Sequence, residues 1–443
     1  MFSLHENTKT RLCRLAFLAL CVAPTCAVLL WSTFIGSGWY RRAHERAIES
    51  RLGWQARLES VSTPLPGTLL YEGLEVFDHD TGQLFARLPF LEIHTSGEST
   101  VVRSPFPATV NGTRLDAFLQ LMQTLARRSR ESSSVRFEAG NLTLHLRDGD
   151  LTFTDISGGL EGDQRRAQAT LHFRRAMAGE QTAELCQLSV TRHAGATSSA
   201  HEIRFSTGPT PLPAVLLAPM WPGVERLGQD CHFTGMVKAT EQDGGWETKL
   251  SGRLDAIDLD LLISRQFPHK LSGLAQARLK QATFVGGRLE NATGSMKAGP
   301  GVVSRSLLQS AEMHLHVQAA PQALHGRGNL VDYHLLCLGF DVGPQGMSLR
   351  GEVPNGRGAI LVDRTHVMAI EPPVVSQPVV ALVRTLVPHS DVQVPATRET
   401  VGLASALPVP TLVPAPGDER PLPHARPLTV RARPTTTGNP LRR

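Results

Sequence analysis

The sequence is poor in the features on which most enzymes and metalloproteins depend. It contains no Walker-type phosphate loop, no G-x-S-x-G, no H-E-x-x-H and no Gly-rich dinucleotide turn. Only six of the 443 residues are cysteines, and none forms a C-x-x-C pair, which excludes a disulfide framework and the usual zinc motifs. These absences favour a protein that is not an enzyme and that has no catalytic, cofactor-binding or metal-binding residues. An enzyme with a convergent pair of acids on a β framework is a weaker alternative.

Two short clusters have the composition of metal ligands. His314 and His316 in "MHLH" fall on one face of a predicted strand, where two ligands could sit. Asp255, Asp258 and Asp260 in "DAIDLD" suggest a calcium site. No cysteine or acid completes the first set, and the second lacks the Gly and Glu of an EF-hand. We therefore expect exposed strand histidines and a capped helix with solvated acids.

The body of the chain has almost no net charge. The formal charge is +5, and the stretch from Ser405 to Arg443 supplies four of it, from six Arg against one Asp and one Glu. About one charge is left for the rest of the chain, so there is no basic stripe of the kind that nucleic-acid binding needs. We expect no nucleic-acid partner.

No charged residue occurs from Leu15 to Tyr40, a run of 26 residues. As a helix the run is about 39 Å long, which exceeds the ~30 Å of bilayer hydrocarbon. A cleaved signal peptide is the alternative, but its apolar region is only about 7–15 residues long. We predict a transmembrane helix over residues 15–40, preceded by a short cytoplasmic segment, residues 1–14. The residues expected to anchor it in lipid are Leu15, Phe17, Leu18, Leu29, Leu30, Trp31, Phe34 and Ile35.

The charges that flank this run bear on its orientation. Three basic residues precede it, and five arginines follow it between Arg41 and Arg57. The positive-inside rule, counted strictly, places the body in the cytoplasm.

The rest of the chain predicts a mainly β protein with a few short helices, of the α+β class. A helix from Arg41 to Leu52 ends at Gly53, the residue type that most often terminates helices. From Trp54 onwards apolar and polar residues alternate, as in an antiparallel sheet with one apolar face. A second helix is predicted around Leu115 to Ala126 from its apolar spacing.

The strand after this helix changes its apolar parity. Its apolar residues fall at odd numbers up to Ala139 and at even numbers from Leu142, and the switch at Gly140–Asn141 predicts a bulge or a tight turn.

The strands fall into two predicted modules, residues 41–225 and 226–404, joined by the Pro-rich stretch Pro209–Gly223. Residues 405–443 carry nine prolines between Pro408 and Pro440 in a basic setting, and are predicted to be a disordered tail.

Two stretches resemble the AsmA-like family of bacterial envelope proteins. "FEAGNLTLHLRDGDLTFTDISGGLEG" is similar to the recurrent strand–turn–strand unit of that family. "SGRLDAIDLDLLISRQFPHKLSGLAQARLKQATFVGGRLENATGSMKAGPG" resembles its later region, in which a strand leads to a short helix and then to a Gly-marked turn. The strand pair between Gly53 and Ile93, directly after one membrane helix, fits as well.

The resemblance implies a single anchor in the bacterial inner membrane, a periplasmic body and an elongated, curved antiparallel sheet shaped as a groove. It therefore outweighs the arginine count on orientation. Larger relatives are implicated in moving phospholipid between membranes, whereas this chain is short for a full lipid bridge and its basic tail is not part of the family pattern. The residues expected on the lipid-facing apolar side of the sheet are Phe137, Leu142, Leu144, Leu146 and Leu279.

The function expected on these grounds is non-enzymatic envelope assembly or phospholipid handling through the apolar groove. The alternative is a scaffold whose sheet is filled and whose body and tail bind a partner protein or the cell wall. An open apolar trough would favour the first, and a closed sandwich would favour the second.

Overall fold

The computed structural model describes residues 14–78, 81–97, 99–128, 134–147, 149–162, 166–176, 184–194, 199–221, 223–242, 245–325, 328–373, 376–387 and 407–408. The segment predicted to precede the membrane helix lies outside these residues except for Arg14. The predicted tail also lies outside them, apart from Leu407 and Pro408.

The described part of the chain contains six α-helices and several single helical turns. The helices are α1 (Arg14–Ile35), α2 (Gly38–Leu52), α3 (Leu115–Arg128), α4 (Arg305–Leu315), α5 (Pro321–His325) and α6 (Val380–Leu386). The turns are Gly112–Arg114, Ala214–Leu217, Val224–Leu227 and Asp260–Ser264, and a π-helical turn, Leu18–Val22, lies inside α1.

Strands make up most of the described body, as predicted. They are β1 (Gln55–Arg57), β2 (Ser60–Leu65), β3 (Thr68–Phe77), β4 (Leu84–Ser96), β5 (Ser99–Ser104), β6 (Ala108–Asn111), β7 (Ser134–Leu146), β8 (Gly149–Gly162), β9 (Arg166–Arg175), β10 (Cys186–Ala194), β11 (Ser199–Ser206), β12 (Leu212–Pro213), β13 (His232–Gln242), β14 (Gly245–Asp258), β15 (Leu274–Val285), β16 (Arg288–Ala298), β17 (Gly301–Ser304), β18 (Gln318–Ala319), β19 (Leu330–Tyr333), β20 (Leu335–Gly343), β21 (Gly346–Gly351), β22 (Ala359–Val362) and β23 (Val367–Ile370).

Twenty-one of these strands form one large curved sheet, and β17 pairs with β19 separately. Most neighbours are antiparallel, but the sheet is mixed because β7 runs parallel to β5 and β6. The expectation of a wholly antiparallel sheet is therefore wrong at this point. Helix α3 lies between β6 and β7 and carries the chain back along the sheet, so β7 can enter in the same direction as β6.

The parity switch in β7 marks a change of strand partners. Up to Ala139 the strand pairs with β5, and from Leu142 it pairs with β6. On its other side, Ala139 faces Ile156 and Asn141 faces Thr154, so Gly140 falls between paired positions. The register with β8 is the same before and after Gly140, so the predicted bulge or tight turn is not present, and the parity switch coincides instead with the change of partner from β5 to β6.

Helix α1 is long and apolar enough to cross a membrane, with a mean hydropathy of 2.1 over its best window. It ends at Ile35, five residues before the predicted Tyr40. The chain turns at Gly36–Ser37, and the Ser37 Oγ accepts a hydrogen bond from the backbone N of Tyr40 at 3.3 Å, which caps a new helix. Trp39 and Tyr40 therefore belong to α2, which ends at Gly53 as predicted, with a φ of 77°.

Two apolar cores lie against the sheet. The smaller core is formed by β1–β4 with one residue of α3, and Trp54 packs edge-on against Phe85 there, with ring centroids 4.7 Å apart. The larger core runs from α3 and β7 to α6. Both belong to a compact unit that ends at Pro410. Pairing of β11 with β13 carries the sheet past the predicted boundary at residue 225, and the division into two modules stays a prediction.

A predicted strand near residue 315 is wrong. Met313, His314 and Leu315 form the last turn of α4, not the beginning of a strand over Met313–Ala319. Only Gln318 and Ala319 pair as a strand, with β23. The helix forms because Leu308 and Leu315, seven residues apart, are both buried on one side of it, so the helical period prevails over the short alternation in "MHLH".

Candidate apolar cavity

A half-enclosed apolar space lies on the inner face of β7–β11. Alternate residues of these strands point to this face, and several of them, such as Leu144, Phe153 and Leu188, are buried. Helix α3 covers one side of the face, and the segment from Ala214 to Met220 covers the other. A gap remains between the two covers.

This gap is a half-enclosed cavity of about 110 Å³. Aromatic and aliphatic side chains make almost all of its wall, and Asn111 is the one polar residue among those that line it. The lining residues are Val110, Asn111, Phe118, Leu119, Leu142, Leu144, Phe153, Ile156, Leu171, Phe173, Leu188, Phe205, Leu216, Pro219 and Met220.

Both covers are fixed in place by buried side chains. In α3, Ala117 is completely buried and Met122 nearly so, which leaves the half-buried Phe118 and Leu119 facing the cavity. In the other cover, Leu217 is 1% exposed, and Trp221 packs against Phe284 with ring centroids 5.7 Å apart. The covers are therefore held in place by their own packing.

A close backbone approach shapes the cavity near β7. A Cβ on Gly112 would lie 2.7 Å from side-chain atoms of both Leu144 and Leu146, so only glycine allows the turn before α3 to sit on this strand. At the other end, Arg175 Nη1 donates a hydrogen bond of 2.5 Å to the carbonyl of Pro211 and ties β9 to the second cover.

The cavity is electrically neutral. None of the residues that line it is charged. The Asn111 Oδ1 is occupied, because it accepts hydrogen bonds from the Thr113 backbone N at 3.1 Å and from the Thr113 Oγ1 at 2.7 Å. The wall therefore provides no charged side chain to bind a charged ligand, and it favours a hydrocarbon ligand.

The predicted lipid-facing residues divide into three groups. Leu142 and Leu144 line the cavity. Phe137 and Leu146 are half-buried on the same face and pack against the larger core beside it. Leu279 is 9% exposed, lies in β15 away from the cavity, and borders a separate open depression that it shares with basic residues.

The cavity residues on the two covers are not among the predicted lipid-facing residues. Phe118 and Leu119 lie in the helix predicted around Leu115 to Ala126, and their i, i+1 placement on a strongly amphipathic helix is the signal that they face the body. Leu216, Pro219 and Met220 lie in the Pro-rich stretch that was interpreted as a connection between modules. The run of apolar residues inside that stretch, "AVLLAPMW", is the signal that it packs on the body.

The aspartates of the candidate calcium cluster have ordinary structural roles. Asp258 Oδ1 accepts hydrogen bonds from the backbone N of Asp260 and of Leu261, at 2.8 and 3.2 Å, and so caps the following turn. Asp260 pairs with Lys270, and Asp255 accepts from Arg253 Nε at 2.7 Å. Within the described ranges no three His, Cys, Asp or Glu side chains come together as a metal site.

The predicted anchor residues lie in α1. Leu15, Phe17, Leu18, Leu29 and Phe34 are exposed on it, between 38% and 66%, as expected of side chains that face lipid. Ile35 is half-buried, and the side chains of Leu30 and Trp31 lie outside the described part of the structure.

The chain matches no protein-family model, no curated protein and no solved structure.

Proposed function

We propose that the protein is a membrane-anchored, non-enzymatic envelope protein of the AsmA-like type, and that its β body holds part of an acyl chain in the apolar cavity. The observation that carries the proposal is the cavity wall, which is hydrocarbon almost throughout and lies on a curved sheet. Apolar concave surface of this kind is the usual setting of a lipid or small apolar ligand.

The size of the cavity limits the ligand. An engineered apolar cavity of ~150 Å³ stays dry and binds benzene. At about 110 Å³, this cavity holds a few methylene groups, which is the end of one chain and not a whole phospholipid. The proposed role is therefore holding or handing over a lipid, not bridging two membranes.

The scaffold alternative draws support from the second half of the sheet. There α4 and α6 cover the inner face, and Leu308, Leu315 and Ala381 are buried in the larger core with it. A sheet filled in this way resembles a structural core more than a trough. In this alternative the body and tail bind a partner protein or the cell wall, and the cavity is a packing defect.

The proposed location is the bacterial inner membrane, with α1 as a single-pass anchor and the body in the periplasm. The apolar α1 supports the anchor. The side of the membrane rests on the family resemblance, since the arginines after α1 argue for the opposite orientation by charge count.

Native mass spectrometry of the full chain, isolated from membranes and followed by lipid extraction, tests the proposal. Leu142→Trp fills the cavity from its half-buried wall, and Leu160→Trp is the matched control, because Leu160 is half-buried on the same face outside the cavity. We expect bound lipid on wild type and on the control, and its loss from Leu142→Trp. A folded wild-type chain without lipid would leave the scaffold as the better account.

A further inference from the structure

The acidic residues of helix α2 lie on one side of the helix, and two of its arginines lie on the other. Its acids point towards the edge of the sheet, where Glu45 Oε1 accepts a hydrogen bond from the Leu58 backbone N at 3.0 Å and Glu49 Oε1 accepts one from the Ala56 backbone N at 3.4 Å. These N–H groups lie on the side of β1 and its extension that pairs with no strand in the described part of the chain. The two acids therefore satisfy an edge that would otherwise be open.

The same side of α2 is fixed to the body by further contacts. His44 Nδ1 lies 3.0 Å from the Tyr71 hydroxyl, and the His44 and Tyr71 rings are 5.6 Å apart. Arg41 Nη1 donates to the Glu59 carbonyl at 3.4 Å. The helix therefore cannot rotate about its axis without losing these contacts, and the direction of its other side is set.

The other side of α2 carries Trp39, Arg42 and Arg46, at spacings that align them along one face. Trp39 is 66% exposed although it is a large aromatic residue. Arg42 and Arg46 are exposed, and neither has a hydrogen bond or an ion pair with any described residue. We call Trp39, Arg42 and Arg46 the outer face of α2.

This outer face lies directly beside the end of the apolar helix. Only Gly36 and Ser37 separate α1 from α2, and the Phe34 and Trp39 rings are 5.4 Å apart. Three extended residues and one helical turn place the Arg42 Cα at most about 16 Å from that of Ile35. With its long side chain, Arg42 reaches the headgroup layer, and Arg46 follows about one turn further on.

We propose that the outer face of α2 binds anionic phospholipid headgroups of the leaflet in which the C-terminal end of α1 lies. Tryptophan favours the membrane–water interface, and arginine binds phosphate through its planar fork of donors. The proposal rests on α1 spanning the membrane, and it does not depend on whether the cavity holds a chain. Such binding would hold the β body at a fixed distance from the membrane surface and in a fixed orientation to it.

The test uses the full chain in nanodiscs that contain equal amounts of phosphatidylglycerol and phosphatidylcholine, followed by native mass spectrometry of the retained lipids. The variant is Arg42→Gln with Arg46→Gln. The control is Arg136→Gln with Arg288→Gln, which removes two exposed arginines from β7 and β16 that have no hydrogen bond or ion pair with any described residue. Carbonate extraction of the same proteins from membranes reports on the α1 anchor separately.

We expect each arginine of the outer face to contribute about five-fold, so the preference for phosphatidylglycerol should fall by up to about 25-fold in the variant and stay unchanged in the control. The wild-type preference should weaken as salt rises. Equal retention by both variants would overturn the proposal. Extraction of wild type by carbonate would refute the anchor itself, whereas loss of preference without extraction concerns α2 alone.

Discussion

Arg192 is a buried charge whose replacement by an apolar residue should stabilise the protein. It lies in β10 between Ala167 of β9 and His201 of β11, which are 0% and 1% exposed. Arg192 itself is 5% exposed, and its Nε and Nη2 are buried without a hydrogen-bond partner among the described residues. Along the strand, its neighbour on the same face is the completely buried Val190.

The magnitude follows from the cost of burying an ion. The effective penalty is several kcal/mol, and it is repaid only when the charge is paired and fully hydrogen-bonded. No described residue forms a hydrogen bond with Nε or Nη2, so nothing offsets the desolvation cost at these atoms. Methionine has a similar length and flexibility and keeps most of the packing of the arginine stem. We therefore expect Arg192→Met to raise the free energy of unfolding by about 1–4 kcal/mol.

Urea unfolding of the detergent-solubilised chain, followed by far-UV circular dichroism, measures the change as a shift of the midpoint at constant slope. The control is Arg204→Met in the adjacent strand β11. Arg204 is exposed and pairs with Glu202, so its loss should change stability by no more than about 1 kcal/mol.

A loss of about 3–5 kcal/mol in Arg192→Met would refute this reasoning. It would mean that the guanidinium is paired in solution, because breaking a buried pair leaves the partner uncompensated.

Three further predictions concern single sites. Gly252→Ala should destabilise by about 2–4 kcal/mol, because its Cβ would lie 2.3 Å from the Thr234 carbonyl oxygen at a φ of 149°, whereas Gly343→Ala, with open space around it, should cost at most about 1 kcal/mol in the same urea assay. Glu45→Ala should leave the Leu58 N–H without its acceptor, cost about 1–3 kcal/mol and speed amide exchange at Leu58, as measured by hydrogen–deuterium exchange. Burial raises the pKa of Cys186 to about 11 and that of Cys231 to about 12, from a usual value near 9, so both thiols should resist maleimide at pH 8 until the chain unfolds. Because the folded state keeps these protons longer, the stability they contribute is complete below about pH 9 and should be lost as pH rises through about 11 for Cys186 and about 12 for Cys231; stability that rises over this window would contradict it.

Local features of the fold could be predicted from the sequence because their causes are local. Gly53 ends α2 through its positive φ, and apolar spacing defines α3. Each of these features depends on residues only a few positions apart, so their apolar spacing or residue type can be seen directly in the sequence.

The parallel entry of β7 depends on which strand it pairs with, and the sequence contains no marker of that. An alternating strand pairs equally well in either direction, so only the path of α3 across the sheet decides it. For the same reason the Pro-rich stretch before Trp221 reads as a connection, although its apolar residues cover the cavity. The cavity is therefore a product of tertiary packing, and only the two wall residues on β7, Leu142 and Leu144, could be predicted.

The most direct test of the central claim is photo-crosslinking with a fatty acid that carries a diazirine near its methyl end. The full chain is labelled in nanodiscs, digested and analysed by peptide mass spectrometry. If the cavity holds an acyl chain, we expect labels in peptides from α3, β7–β9 and residues 214–220, which Leu142→Trp should remove and Leu160→Trp should keep. Labels confined to α1 would contradict it, because they would show that the chain meets lipid only through its membrane helix.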